Sequence, residues 1–273
     1  MSPAFSAFVA MLEQASGIAL DQTKLYLIES RLAPLARQHG SPSVESFVAT
    51  LNRQPPGALH RIAFEALTTN ETSFFRDAHC FERLARVVLP ELIRKRGAER
   101  SLNIWSAAAA TGQEAYSLAM LLRERLPDID RWNIRIIASD YSERALEKAE
   151  AAHYAQHEVA RGVDATRLAR HFVETGRGFT LRPEIRSLVR FERLNLIETW
   201  PSRPLFDLVL LRNVLIYFSP QTREQILARV HRTLHPTDGI LLLGATEMIA
   251  PGDRFALTQL DRLSLYRPIA EQA

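Results

Sequence analysis

Hydrophobic residues over the first 66 positions recur at helical spacing. Phe5, Phe8, Val9, Leu12 and Ile18 form one stripe, and Leu25, Ile28, Leu32 and Leu35 a second. A third, Phe47, Val48 and Leu51, follows a Ser-Pro-Ser turn at 41–43. The stretch NRQPPG at 52–57 interrupts the pattern before Leu59, Ile62, Phe64 and Leu67 resume it. From about residue 100 strands and helices alternate. Residues 102–107 (LNIWSA), 134–139 (IRIIAS), 206–211 (FDLVLL) and 240–245 (ILLLGA) read as apolar strands, with 263–267 placed to close the sheet. Residues 113–126, 142–154 and 223–234 read as the intervening helices. FDLVLL is apolar on both faces, as a central parallel strand requires. The alternation predicts an α/β fold with a mostly parallel sheet and helices on both faces. Between about 172 and 193 it breaks into β-like runs at 172–174, 178–181 and 188–191, which predict a small antiparallel insert.

Composition narrows the picture. A chain of 273 residues, 47% hydrophobic, can fill one large α/β domain and a smaller helical one. The net charge is only +3, but residues 161–193 hold eight Arg and four acids. That excess is small and no aromatic-interleaved basic patch accompanies it, which argues against nucleic-acid binding. The single cysteine, Cys80, and the scattered histidines show no metal-ligand spacing. One cysteine, no basic leader and no apolar run of roughly 18–20 residues predict a soluble protein of the reducing cytoplasm.

Four segments carry candidate chemistry. The first strand runs into small residues, WSAAAATGQE at 105–114, which let backbone N–H groups approach a ligand closely. It is not a GxGxxG cradle. Glu114 suits a cationic amino group or a hydroxyl, or equally the N-terminus of the following helix. Asp140 closes the second strand, where an acid either accepts from ribose hydroxyls or caps the next helix. Arg212 and Asn213 leave a buried strand together, and unpaired polar groups there would be costly. Residues 67–77 (LTTNETSFFRD) combine hydroxyls and amides with Phe74, Phe75 and Arg76. A polar interdomain loop with Asn70 or Thr72 as a helix cap explains the hydroxyls but not the aromatic pair beside Arg76.

These segments, with ASDYSERALEKA, LNL at 194–196 and LRNVLIYF, occur in the order found in the chemotaxis receptor methyltransferases, and the chain resembles the CheR family from about residue 10 to 267. The resemblance implies an N-terminal helical domain (1–72) and a class I S-adenosylmethionine (SAM)-dependent methyltransferase domain (73–273), a Rossmann-like, mostly parallel seven-stranded sheet. A small antiparallel β-subdomain is inserted at about 172–193. It further implies that Asn70, Thr72 and Arg76 approach SAM and that Glu114 and Asp140 hold its amino-acid or ribose portions. Asn195 and Leu196 would flank adenine, Arg212 and Asn213 would line the pocket floor, and Arg76 and Tyr217 would stand nearest the transferred methyl as the catalytic pair. Gln113 and Ala115 depart from the family pattern, which favours an acid and a proline there.

The implied reaction esterifies glutamates on the cytoplasmic helices of methyl-accepting chemotaxis receptors and releases S-adenosylhomocysteine. A glutamate with a pKa near about 4.3 is already ionised at neutral pH, so no strong base is needed. Alignment carries the chemistry. Arg31, Arg37, Arg53 and Arg61 are candidates to dock an acidic helix, and the insert is a candidate to grip a receptor C-terminal peptide by strand addition. The protein is expected to act as a monomer without a metal. Two other readings stand beside this one: a methyltransferase acting on a different substrate, and a non-catalytic SAM-binding module that docks receptors.

Overall fold

The computed structural model describes residues 2–250, 252, 254–260 and 263–269. The chain divides into two compact units. The first comprises residues 1–69, 195–199 and 216–226, and the second 70–194, 200–215 and 227–273.

Residues 1–69 of the first unit contain four α-helices: α1 (Pro3–Ser16), α2 (Leu25–Gln38), α3 (Val44–Arg53) and α4 (Ala58–Leu67). Their ends follow local chemistry. Gly17 terminates α1 in the left-handed region, and Ser43 caps α3 by accepting from Ser46 N. Phe8, Leu12, Ile28, Leu32, Val48 and Leu51 are fully buried, as the stripes predict. Ile62 departs from that reading and is half exposed, because the buried face of α4 is His60, Ala63, Phe64 and Leu67. Arg31, one of the docking candidates, is engaged within its own unit. Its guanidinium donates to Leu67 O (2.7 Å), Thr68 O (3.0 Å) and Thr69 Oγ1, closing the C-terminal end of α4.

In the second unit, α5 (Ala78–Arg83) continues through a π-helical turn at Leu84–Val88 into α6 (Leu89–Lys95). There follow β1 (Ser101–Ala107), α7 (Gln113–Arg125), β2 (Asn133–Asp140), α8 (Glu143–Ala151), β3 (His153–Ala155), α9 (Gln156–Ala160), α10 (Ala165–His171), β4 (Phe172–Thr175), β5 (Gly178–Leu181), α11 (Pro183–Arg186), β6 (Val189–Arg193) and β7 (Leu208–Leu211). The chain then forms α12 (Pro220–Thr233), whose residues up to Ile226 are counted with the first unit, followed by β8 (Ile240–Leu243), β9 (Phe255–Leu260) and β10 (Leu263–Pro268). Seven strands make one sheet in the order β6-β2-β1-β7-β8-β10-β9. The first five are parallel, and β10 pairs antiparallel with both β8 and β9, so it alone runs against the other six. This is the class I methyltransferase architecture.

A three-stranded antiparallel sheet, β3-β5-β4, completes the unit. Two of its strands are the expected runs at 172–175 and 178–181. The third is β3, which the sequence reading placed in a helix over 142–154. Ala152 adopts φ 51°, ends α8 and turns the chain into a strand. The run at 188–191, expected in the insert, instead lies in β6, parallel to β2 at the edge of the large sheet. No helix covers the connection from β6 to β7, so the expected coverage of both faces fails there.

Candidate functional site

The parallel register aligns the C-terminal ends of β1, β2 and β7: Ala107 pairs with Ser139 on one side and with Leu211 on the other. Polar side chains leaving these ends meet at one edge of the sheet, where doubly wound folds bind their ligands. Gly112 starts α7 at φ +90°, and a Cβ there would come within 2.8 Å of the Ala149 side chain. A side chain at this turn would push the β1–α7 loop away from α8.

Arg212 stands at the centre of this edge and is buried. Its Nη1 donates to Glu114 Oε2 (2.9 Å), and its Nη2 donates to Asp77 Oδ2 (2.6 Å) and to Arg76 O (3.1 Å). Glu114 Oε1 accepts from Ser106 Oγ at 2.7 Å. Burial opposes the Arg212 charge, but Glu114, with help from Asp77, outweighs it and holds the guanidinium pKa above its ordinary value. Burial also raises the neighbouring Cys80 thiol to about 11, so it stays neutral. Asp140 accepts from Ala110 N (2.8 Å) and Ser142 N (2.9 Å), tying the β1–α7 loop to the start of α8. Asn213 lies in the left-handed region at φ 58°, and its N–H donates to Glu247 Oε2 at 2.6 Å. Gly244 N donates to the same oxygen at 2.9 Å.

The segment before α5 is held from both sides. Phe75 adopts φ 49° and Asp77 φ 59°, a left-handed region that aspartate tolerates and a bulky aromatic residue avoids. Phe75 N donates to Ser117 Oγ on α7 (2.9 Å), and its ring packs on Phe81 and lies 4.3 Å beneath the Arg167 guanidinium. Phe74 packs edge-on against Tyr154 and Phe172. Gly162 approaches so closely that a Cβ would lie 2.0 Å from Phe74 O. The aromatic pair is therefore core, and it fixes the backbone that presents Arg76. The Arg76 Nη1 donates to Glu71 O at 2.9 Å.

Seven of the expected site residues, Asn70, Thr72, Arg76, Glu114, Asp140, Arg212 and Asn213, belong to the second unit. Among them, Arg76, Glu114 and Arg212 share one hydrogen-bonded network. Asn195, Leu196 and Tyr217 belong to the first unit. There Asn195 Nδ2 donates to Ala15 O (2.8 Å) and Glu198 Oε1 (3.0 Å), and Tyr217 O accepts from Ala19 N (2.8 Å). The sequence reading missed Asp77, Ser106, Ser117 and Glu247. Glu247 carried a usable signal, since it is an acid just beyond an apolar strand, as Asp140 is.

The chain matches known proteins over most of its length. The SAM-binding domain of CheR methyltransferase matches residues 70–263, and the all-alpha domain of CheR methyltransferase matches residues 3–68. The chain belongs to the CheR methyltransferase family. It is 41% identical over 253 residues to "Chemotaxis protein methyltransferase Cher2" of Pseudomonas putida, covering 90% of each chain. It is 41% identical over 269 residues to "Chemotaxis protein methyltransferase 1" of Pseudomonas aeruginosa, covering 96% of this chain and 97% of that one. A "Chemotaxis protein methyltransferase" of Vibrio anguillarum is 35% identical over 265 residues.

The residues at the sheet edge fit the family's cofactor. SAM carries a sulfonium and an ammonium against one carboxylate. Four acids, Asp77, Glu114, Asp140 and Glu247, are gathered at the strand ends with one guanidinium group, that of Arg212. The excess is negative and matches a cationic ligand. Arg212 Nε is buried without a hydrogen-bond partner among the described residues, a donor left over for a ligand acceptor. Gln113 and Ala115, the departures from the family pattern, are both buried and accommodated. Gln113 Oε1 accepts from Thr111 Oγ1 at 2.7 Å.

Proposed function

We propose that this CheR-family methyltransferase esterifies glutamate side chains on the cytoplasmic helices of methyl-accepting chemotaxis receptors, giving glutamyl methyl esters and S-adenosylhomocysteine. The observation that carries the reading is the buried Arg212–Glu114 pair, joined from the solvent side by the exposed Asp77. It places an excess of carboxylate at the ends of β1, β2 and β7, where a cationic methyl donor belongs. Bound there, SAM supplies a methyl group on a positively charged sulfur. Glu114 and Asp140 hold the amino-acid and ribose portions, and Arg212 and Asn213 form the floor. Asn70 and Thr72 approach the donor from the segment before α5. Asn195, Leu196 and Tyr217 are carried to the donor by family resemblance alone.

The chain's own work is alignment. The incoming glutamate is already ionised, so no residue needs to take its proton. Arg76 orients that carboxylate. Its guanidinium is half-buried and spends one donor on Glu71 O, and its other donors have no partner among the described residues. A loose pairing of this kind steers the nucleophile without quenching it. Exposed Arg37, Arg53 and Arg61 of the helical unit meet the acidic face of a receptor helix. Among the described residues β4 is an end strand of the small sheet, the position from which a receptor C-terminal peptide could be gripped by strand addition. The protein would do this work in the cytoplasm. Among the described residues no helix is long and apolar enough to cross a membrane.

The test is transfer of a labelled methyl group to receptor. Label released as methanol in mild base identifies an ester, whereas a base-stable product identifies nitrogen methylation and ends the reading. Arg76→Ala is expected to lower kcat by two to three orders of magnitude, about 3–4 kcal/mol in barrier, with the unfolding midpoint unchanged. Unchanged turnover would remove Arg76 from the chemistry.

A further inference from the structure

The connection from β6 to β7, residues 194–207, must pass β2 and β1 to reach its place in the sheet, and it does so without a helix. One sheet face is left thinly covered at the N-terminal halves of β2 and β6. The register puts Asn103 beside Arg135 and Ile137 beside Arg190, so Arg135 and Arg190 project from that same face. Neither guanidinium forms an ion pair or hydrogen bond with a described residue. Two like charges this near on one face disfavour each other unless a counter-charge arrives.

A cavity of about 500 Å³ lies here, bounded by these strands and by residues 201–204. Arg203 lines it with a side chain only 8% exposed. One of its nitrogens pairs with Glu192, while Nη1 is buried without a hydrogen-bond partner among the described residues. The remaining lining is largely apolar, including Ile137, Leu188 and Phe206. Three arginines against one glutamate leave the cavity positive.

We propose that this cavity is a second ligand site, for a small organic anion with a planar apolar body and a phosphate or carboxylate head. The size falls in the range of small-molecule sites and is too small for a helix. The apolar floor takes the body. The Arg203 Nη1 and the unpaired Arg135 and Arg190 take the head. The site is distinct from the cofactor edge. The lining residue of β2 nearest the cofactor edge, Ile137, lies three residues before Asp140, about 10 Å away at the usual strand rise. The inference does not depend on the receptor reading.

The experiment titrates phenyl phosphate into the full chain and follows backbone amide shifts by NMR. A ligand of this size is expected to bind with a Kd of about 1 mM. Saturable shifts should be confined to residues 134–137, 187–192 and 201–204. Benzyl alcohol and inorganic phosphate should each bind at least about tenfold more weakly, and benzoate in between. Arg135→Gln with Arg190→Gln, both at exposed positions, should weaken phenyl phosphate by about tenfold while SAM affinity stays unchanged. Any of four results overturns the proposal: no saturable shift by about 10 mM, equal binding of benzyl alcohol, undiminished affinity in the double variant, or an oligoglutamate peptide that moves the same amides more tightly. The last would make the face an acidic-protein surface instead.

Discussion

At the strand ends of the second unit arginine is buried and fixed by acids, whereas in the helical unit it stands mostly at the surface. Arg212 is held by two carboxylates and a carbonyl and is almost out of solvent. Arg37, Arg53 and Arg61 are exposed. Arg31 is the exception, and its partners are main-chain carbonyls of its own unit. A buried arginine states its role through its partners. An exposed arginine has a role only if another molecule supplies the partner. The same residue type therefore makes a structural claim in one unit and a recognition claim in the other, and substitutions should separate the two.

Arg212→Met should have the largest effect. It leaves Glu114 buried beside Asp77 without a counter-charge, and loss of one partner from a buried pair destabilises by about 3–5 kcal/mol. Urea unfolding should show the drop, and cofactor binding should be lost with it. Adding Glu114→Gln should recover part of the stability but not the binding. A wild-type midpoint for Arg212→Met would mean the cluster is solvated and the contrast with the helical unit is empty.

Arg167 is an intermediate case, half-buried and paired with Glu124 at 2.9 and 3.1 Å. His171 Nε2 lies 3.2 Å from the same carboxylate. Burial alone would raise the Glu124 pKa, but hydrogen bonds from His171 and Arg167 outweigh it and bring it from 4.5 down to about 2. A carboxylate lowered on folding contributes stability above its unfolded pKa and loses it as pH falls through the folded value. The contribution should be complete above pH 4.5 and fade toward pH 2. Partial solvent screening limits it to about 1–2 kcal/mol. Unfolding midpoints followed down this range should fall for the wild type, and this part of the slope should vanish in Glu124→Gln. An identical slope in the variant would place the acid sensitivity elsewhere.

Much of this was legible in the sequence because it rests on periodicity. The strands that became β1, β2, β7 and β8 are apolar runs with helices between them, and the family motifs sit at their ends. Other features rest on contacts that spacing does not encode. The segment FALTQL, which forms β9, has four exposed residues in a row and no apolar stripe to mark it. The alanine-rich tail of α8 looks helical through Tyr154, and only the left-handed Ala152 reveals the break. β6 is preceded by the same Arg and Pro punctuation as the insert, so its place in the large sheet depends on pairing with β2. At the site, Arg212 and Glu114 were each suspect, but their pairing, separated by 98 positions, was not. Phe74 and Phe75 were unexplained as loop residues because their partners, Ser117, Tyr154 and Phe172, lie far along the chain.

The surface arginines give the smallest effects and the sharpest form of the contrast. Arg31→Ala strips the donors from the end of α4 and should lower stability by about 1–2 kcal/mol, with the KM for receptor moving little. Arg61→Ala removes only an exposed charge, so unfolding should shift by no more than about 0.5 kcal/mol. If Arg61 meets the acidic receptor face, its loss should raise the receptor KM by about two- to fivefold with kcat unchanged, the mark of binding shared by ground and transition states. The rise should shrink as salt is added, because a surface pairing is screened. A KM that moves for Arg31 and not for Arg61 would reverse the assignment, and receptor docking would then depend on the shape of the helical unit rather than its charge.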